Sequence, residues 1–341
     1  VLPLLSVCPM QTLIVAPNWI GDLVMAQPLF ALLKSNSDEK LTLVAPAPLE
    51  DLARVMPELD RVVSTPFLHG KLEWRARTRL ARELASDRFD RAFILPNSFK
   101  SALIPWLARI PVRIGYRGEA RRMLLTHHFP DPAAATPMVE RYARLAAPAS
   151  TRLPSPVLRV APTRIEEALL KFELDRARPL FIFCPGAEYG PAKRWPPRHF
   201  AELAERVVAD IPRAQIVILG TANDISAQTE VCAQSRAPIQ ALAGKTSLQE
   251  AIALLAAATG VVCNDSGLMH IAAALGRPQA AIFGSTDPRH TPPRSSRAEV
   301  VWLHLECSPC FERVCPLGHL RCLNDIGADQ AFSALKTALG S

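Results

Sequence analysis

This 341-residue chain has no run approaching the roughly 20 consecutive apolar residues that a membrane-crossing helix requires, so nothing in it is expected to span a bilayer. It lacks a Gly-x-Gly-x-x-Gly loop after its first candidate strand, which speaks against a dinucleotide cofactor. Aromatic residues make up only 6% of the chain and no basic stripe is interleaved with them, so nucleic-acid binding would rest on net charge alone. No cationic segment precedes the apolar residues 1–9. That stretch reads as sequence upstream of a natural start at Met10, not as a signal peptide. The eight cysteines are scattered, apart from Cys307, Cys310, Cys315 and Cys322. Without an export signal they point to reduced thiols and a cytoplasmic protein.

What the chain has in excess is positive charge, 39 Lys and Arg against 32 Asp and Glu, for a net charge of +7. That balance favours an anionic partner such as phosphates or a membrane surface. With 49% hydrophobic and 21% charged residues, the chain is globular and long enough for two separately cored domains.

Short apolar strands alternate with helical patterns throughout. Strands are expected at 12–16, 41–44, 61–63, 92–95 and 112–114, with helices at 23–33, 49–55, 74–85 and 101–108. The Pro-, Ala- and Thr-rich stretch 130–162, with one helix near 138–145, reads as a linker. A second series follows, with strands at 180–184, 215–219, 239–241, 261–263 and 280–283 and helices at 199–209, 225–235 and 248–257. A further helix is stopped at Gly276, and an amphipathic one covers 329–339. The pattern is α/β, with two Rossmann-like parallel sheets whose strand ends would face a central cleft.

Three segments carry candidate chemistry. In Gly260-Val-Val-Cys-Asn-Asp-Ser-Gly-Leu-Met-His270 a buried strand runs straight into a helix rich in capping residues. The unpaired N–H groups and dipole of such a helix start suit a diphosphate, although an ordinary, well-capped turn has the same pattern. After the first strand, Asn18-Trp-Ile-Gly-Asp22 offers one carboxylate, Asp22, which serves either as a helix cap or as a general base. The long loop from Pro185 to Pro197 carries Lys193 and Arg194, either phosphate-neutralising cations or a solvated pair, with Trp195 as a core plug.

In order along the chain, Asn18-Trp-Ile-Gly-Asp22, Lys193-Arg-Trp-Pro196, Asn264-Asp-Ser-Gly-Leu-Met-His270 and the cysteine-rich 307–319 resemble the ADP-heptose:lipopolysaccharide heptosyltransferases, in particular the type II enzymes. The resemblance runs from about Met10 to the C-terminal helix. It implies a GT-B fold, with an acceptor-binding domain at 10–160, a donor-binding domain at 161–325, and a helix at 326–341 packing back toward the first domain. It also implies inverting transfer of L-glycero-D-manno-heptose from ADP-heptose onto the first heptose of the inner core carried on Kdo–lipid A, without a metal or other cofactor.

On this resemblance Asp22 matches the catalytic base and Lys193 the phosphate-contacting lysine. Asp265, Ser266, Gly267, Leu268 and His270 match diphosphate and heptose contacts. Glu188, Tyr189, Asn223 and Thr246 fall where ribose and adenine contacts lie, and Asn18 and Trp19 fall on the acceptor side. Arg109, Arg113, Arg117, Arg121 and Arg122 crowd around the single acid Glu119. They are either a solvated surface or a site for the acceptor's carboxylates and phosphates, to which Arg117, Arg121 and Arg122 are assigned. The same cluster suits peripheral contact with the anionic inner membrane face. Cys307, Cys310, Cys315 and Cys322 have zinc-like spacing in the first pair only, so packed free thiols compete with a structural zinc. The rival readings are heptosyltransferase I or III, another inverting nucleotide-sugar glycosyltransferase, a nucleotide-sugar epimerase, and a non-catalytic two-domain ligand-binding protein.

Overall fold

The computed structural model describes residues 9–36, 38–67 and 71–340. Residues 1–8, within the stretch read above as upstream sequence, lie outside that description. Contacts divide the chain into two compact units, Val1–Pro154 and Ser155–Ser341, a few residues before the boundary expected near 160.

The first unit alternates strands and helices in chain order: β1 (Gln11–Val15), α1 (Ile20–Asn36), β2 (Lys40–Pro46), α2 (Glu50–Arg54), β3 (Arg61–Thr65), α3 (Trp74–Ala85), β4 (Arg91–Ile94), α4 (Phe99–Leu107), β5 (Val112–Tyr116), β6 (His127–Phe129) and α5 (Met138–Ala143). The second continues with α6 (Pro162–Lys171), β7 (Leu180–Cys184), α7 (Pro197–Asp210), β8 (Gln215–Ile218), α8 (Ile225–Gln234), β9 (Ile239–Ala241), α9 (Leu248–Ala257) and β10 (Gly260–Asn264). It ends with α10 (Gly267–Ala274), β11 (Gln279–Ile282), β12 (Ala298–Val301), α11 (Arg321–Asn324) and α12 (Ala328–Leu339).

Among the described residues each unit builds one six-stranded sheet, ordered β3-β2-β1-β4-β5-β6 and β12-β11-β10-β7-β8-β9. Every pairing is parallel, with Val15 opposite Val44 in the first sheet and Cys263 opposite Cys184 in the second. Counted from its own first strand, each sheet has the same doubly wound order, which reverses between β1 and β4 and between β7 and β10. Crevices for ligands open at such reversals, outside the carboxyl ends of the strands.

Central strands are mostly apolar because helices cover both faces. The Leu-Phe-Ile-Phe-Cys of β7 and the Gly-Val-Val-Cys-Asn of β10 are fully buried. Gly260 is where β10 passes closest to its neighbours, since a Cβ there would lie 2.9 Å from the Phe181 ring. The expected strands and most helices are present. β6 and β12 go beyond expectation: both are edge strands, His127-His128-Phe129 carries no apolar run, and the Val300-Val301 pair of β12 follows a loop rich in Pro, Ser and Arg. α6, for which no element was expected, follows directly on the expected linker, and Pro162 starts it, a position where proline's fixed φ suits a helix. α12 buries Ala331, Leu335 and Ala338, and packs against α7, β10, β11 and β12 of the second unit. Its apolar stripe thus contributes to the second unit's core.

Candidate active site

At the reversal of the second sheet, Asn264 ends β10 fully buried. Its Oδ1 accepts the Trp195 N–H at 3.1 Å and its Nδ2 donates to the Pro185 carbonyl at 2.7 Å, pinning both ends of the β7–α7 loop. Trp195 is the expected plug. It is 1% exposed, donates its indole N–H to the Ile326 carbonyl at 2.9 Å, and meets Phe200 edge-on at 4.7 Å. A Cβ on Gly186 would lie 2.4 Å from the Asp224 carboxylate, so the start of this loop passes only as glycine.

Within the pinned loop, Lys193 Nζ lies 2.5 Å from Asp265 Oδ2, and the Thr286 hydroxyl donates to the same oxygen at 2.6 Å. The ammonium also sits 4.8 Å from the centre of the Tyr189 ring, whose hydroxyl donates to the Phe311 carbonyl. Arg194 is spent on the loop itself, donating from Nε and Nη2 to the Ala187 carbonyl at 3.3 and 3.2 Å. Ser266 occupies the cap position of α10 without making a cap bond, and Gly267 and Leu268 open the helix. The Oγ atoms of Ser266 and of Ser285, just past β11, are buried and have no hydrogen-bond partner. Burial pushes the His270 imidazole down to about 4, opposed by the Asp265 carboxylate and assisted by the Lys193 charge. His270 is thus neutral around pH 7. On the neighbouring strand ends, Asn223 Nδ2 donates to Glu188 Oε1 at 3.3 Å, and Thr246 precedes Ser247, the reciprocal cap partner of Glu250.

At the reversal of the first sheet, the Trp19 carbonyl accepts the Leu23 N–H at 3.0 Å, which makes Trp19 the entry to α1. Asn18 and Trp19 are exposed, and Asp22 lies half-buried in the first turn of α1. Tyr142 of α5 is 5% exposed and lies near enough to Asp22 to feel its charge. Burial first, and the Asp22 charge second, hold this phenol well above its ordinary pKa, so it remains protonated.

Arg121, assigned to the acceptor on the resemblance, is engaged within the first unit. It is fully buried and donates to the carbonyls of Tyr116, Pro96 and Ser98, to Asn97 Oδ1 and to Ser101 Oγ. Burial lowers its pKa to about 10. The guanidinium is therefore the staple that shapes the β4–α4 loop, while Glu119 Oε2 accepts the Phe99 N–H at 2.9 Å at the start of α4. Arg113 is similarly engaged with the Leu124 and Ile110 carbonyls. Arg117 and Arg122 stay exposed, each with Nε 3.2 Å from a different ring nitrogen of His128.

A family model described as glycosyltransferase family 9 (heptosyltransferase) matches residues 77–321. The chain belongs to that family of heptosyltransferases. It is 44% identical over 309 residues to the lipopolysaccharide heptosyltransferase 2 of Salmonella typhimurium, covering 86% of this chain and 88% of that one. It is 40% identical over 310 residues to the lipooligosaccharide heptosyltransferase 2 of Haemophilus influenzae, covering 86% and 89%. The structure of E. coli ADP-heptose lps heptosyltransferase II superposes with a TM-score of 0.85 at 37% identity, over 97% of this chain and 98% of that one. The fold is thus of the GT-B type and the protein is a glycosyltransferase, which sets aside the epimerase and non-catalytic readings.

The structure of this heptosyltransferase brings Tyr189, Lys193, Asp265, Ser266 and His270 to one end of the second sheet. Sequence reasoning missed Tyr142, Ser285 and Thr286. The first lay in a presumed linker, and the other two follow β11 without any motif. Cys307, Cys310 and Cys315 are partly exposed free thiols and Cys322 is buried. Burial chiefly, with the other three cysteines nearby, pushes the Cys322 thiol up to about 11. Among the described residues no group of three or more His, Cys, Asp or Glu is arranged to hold a metal ion.

Proposed function

We propose that this enzyme moves L-glycero-D-manno-heptose from ADP-heptose onto the first heptose of the lipopolysaccharide inner core on Kdo–lipid A. The transfer inverts the anomeric centre. Each unit is assigned one half of the chemistry. Asp22 takes the proton of the attacking acceptor hydroxyl, and the bond from that oxygen to the anomeric carbon forms as the bond to the β-phosphate oxygen breaks. Lys193 and the start of α10, with Ser266, Gly267 and Leu268, stabilise the charge gathering on departing ADP. His270 packs beside them as a neutral ring. Glu188, Tyr189, Asn223 and Thr246 line the nucleoside side. Asn18, Trp19, Arg117 and Arg122 face the acceptor.

The observation that carries this reading is the Lys193 ammonium held by Asp265 immediately before the α10 cap, where the Ser266 hydroxyl is buried without a partner. A built cation beside unsatisfied donors suits a diphosphate. The names of the type 2 relatives support the choice of acceptor. Among the described residues no helix is long and apolar enough to cross a membrane. Exposed Trp19, Trp74 and Phe99, with cationic Lys71, Arg75 and Lys100 in the same unit, support peripheral seating on the cytoplasmic face of the inner membrane.

The test is incubation with ADP-heptose and mono-heptosylated Kdo–lipid A. One added heptose per acceptor, with inverted anomeric configuration, is expected; no mass gain would sink the proposal. Asp22→Asn keeps a capping side chain but removes the proton acceptor, so kcat should fall roughly 10²–10⁴-fold with Tm and ADP-heptose affinity held. A folded, donor-binding Asp22→Asn enzyme turning over at the wild-type rate would remove Asp22 as base.

A further inference from the structure

We infer that the buried hydroxyl of Ser285 is a further contact for the sugar donor, giving a hydrogen bond to an oxygen of the β-phosphate of ADP-heptose. This rests on the reading that places the diphosphate at Lys193 and the start of α10.

Three hydroxyls gather where the chain leaves β11: those of Ser285, Thr286 and Ser308. The Thr286 hydroxyl is engaged with Asp265 Oδ2 and the Ser308 hydroxyl with the Gly284 carbonyl, each at 2.6 Å. The Ser285 Oγ has no hydrogen-bond partner among the described residues, although the residue is 1% exposed. An enclosed hydroxyl ordinarily has a partner, because water no longer supplies one.

The Ser285 backbone is held from two sides. Its N–H donates to the carbonyl of Ala192, the neighbour of Lys193, at 3.3 Å, and its carbonyl accepts the Phe311 N–H at 2.7 Å. The alternation of the sheet gives the side chain its direction. Ala280 and Ile282 belong to the core shared with α7 and α12, and a Cβ on Gly284 would lie 2.6 Å from Leu323 of that core. Ser285, next in the chain, therefore turns to the opposite face, where α10 packs on β10 and β11. There Ser266, at the cap of α10, carries the second buried and unpartnered hydroxyl.

Two such hydroxyls beside the Lys193 ammonium suit a phosphate, whose ionised oxygens only accept. The sheet order selects which phosphate. Asn223 and Thr246, assigned to the nucleoside, follow β8 and β9 on one side of β10, whereas Ser285 follows β11 on the other. Ser285 thus stands at the sugar end of the diphosphate.

Ser285→Ala removes the hydroxyl and little else. Without ligand the variant should melt at or above the wild-type temperature, because an unsatisfied buried group has gone. Calorimetric titration should show ADP and ADP-heptose binding weakened roughly 10- to 100-fold, the weight of one hydrogen bond to a charged group, with AMP binding unchanged. A lower melting temperature without ligand would make Ser285 a structural residue. Equal losses for AMP and ADP would move the hydroxyl to the nucleoside side, and a loss for ADP-heptose alone would move it to the sugar. Unchanged binding of all three would remove it from the site, and each of these four results overturns the inference. Lys193→Ala measured alongside keeps the two readings apart. Normal ADP binding by that variant would fell the placement of the diphosphate itself, whereas its loss with Ser285→Ala unaffected would fell only the Ser285 contact.

Discussion

Lys193 and Asp265 stand 72 positions apart in the chain and 2.5 Å apart in space, with side chains 13% and 5% exposed. The resemblance had given both residues to the ligand. In the structure Asp265 is occupied by Lys193 and Thr286, so on the proposed reading its carboxylate acts on the donor through the lysine that it aims. An enclosed pair of this kind costs more to break than to form, because either partner left alone is a poorly solvated charge.

Lys193→Ala should therefore lower kcat by roughly 10²–10³-fold and weaken ADP-heptose binding, the usual effect of removing one charge-stabilising donor. Asp265→Asn should do the same in smaller measure, and the double variant should fall short of the product of the two. Steady-state kinetics with calorimetric donor titration measure all three. Normal donor kinetics for Lys193→Ala would place the diphosphate elsewhere.

The arginines of the first unit should separate into two classes. Arg121→Ala strips the buried carbonyls of Tyr116, Pro96 and Ser98 of their donor and should destabilise the first unit by about 3 kcal/mol or more. Arg121→Lys should rescue little, since an ammonium cannot reproduce the planar fork. Arg117→Ala with Arg122→Ala should leave Tm alone while raising the acceptor KM and flattening its salt dependence. Thermal melts paired with acceptor kinetics at two ionic strengths decide this; an Arg121→Ala protein melting like wild type would contradict the staple.

His270 should contribute a pH-dependent increment of stability. Its folded pKa of about 4 lies below the ordinary histidine value near 6.5, so between these limits the unfolded chain binds the proton more readily. Stability is then full above about pH 6.5 and drains away as pH falls toward 4. The Tm of the wild type should drop more between pH 7.5 and pH 5 than that of His270→Gln. Parallel curves for the two proteins would mean that the ring is not held neutral.

Much of the fold was legible in the sequence because its information is local. The buried apolar runs of β7 and β10 stand out as strands covered on both faces, and Asn264-Asp-Ser-Gly267 marks the start of α10 by its capping chemistry. The same ordered motifs carry the family. Of the four edge strands, β3 and β9 were legible, whereas the three-residue His127-His128-Phe129 of β6 is too short and polar to stand out.

What tertiary structure decided was the employment of polar groups. Arg117, Arg121 and Arg122 are equivalent as letters, yet one is enclosed by five oxygen-bearing neighbours while the others reach His128 at the surface. Tyr142 sits in a stretch with linker composition and comes near Asp22 only because α5 packs on α1. Strand and helix periodicity follows from backbone geometry that each short segment carries within itself. A buried donor's partner follows from which distant segments the packing brings together, since it must find an acceptor among whatever surrounds it.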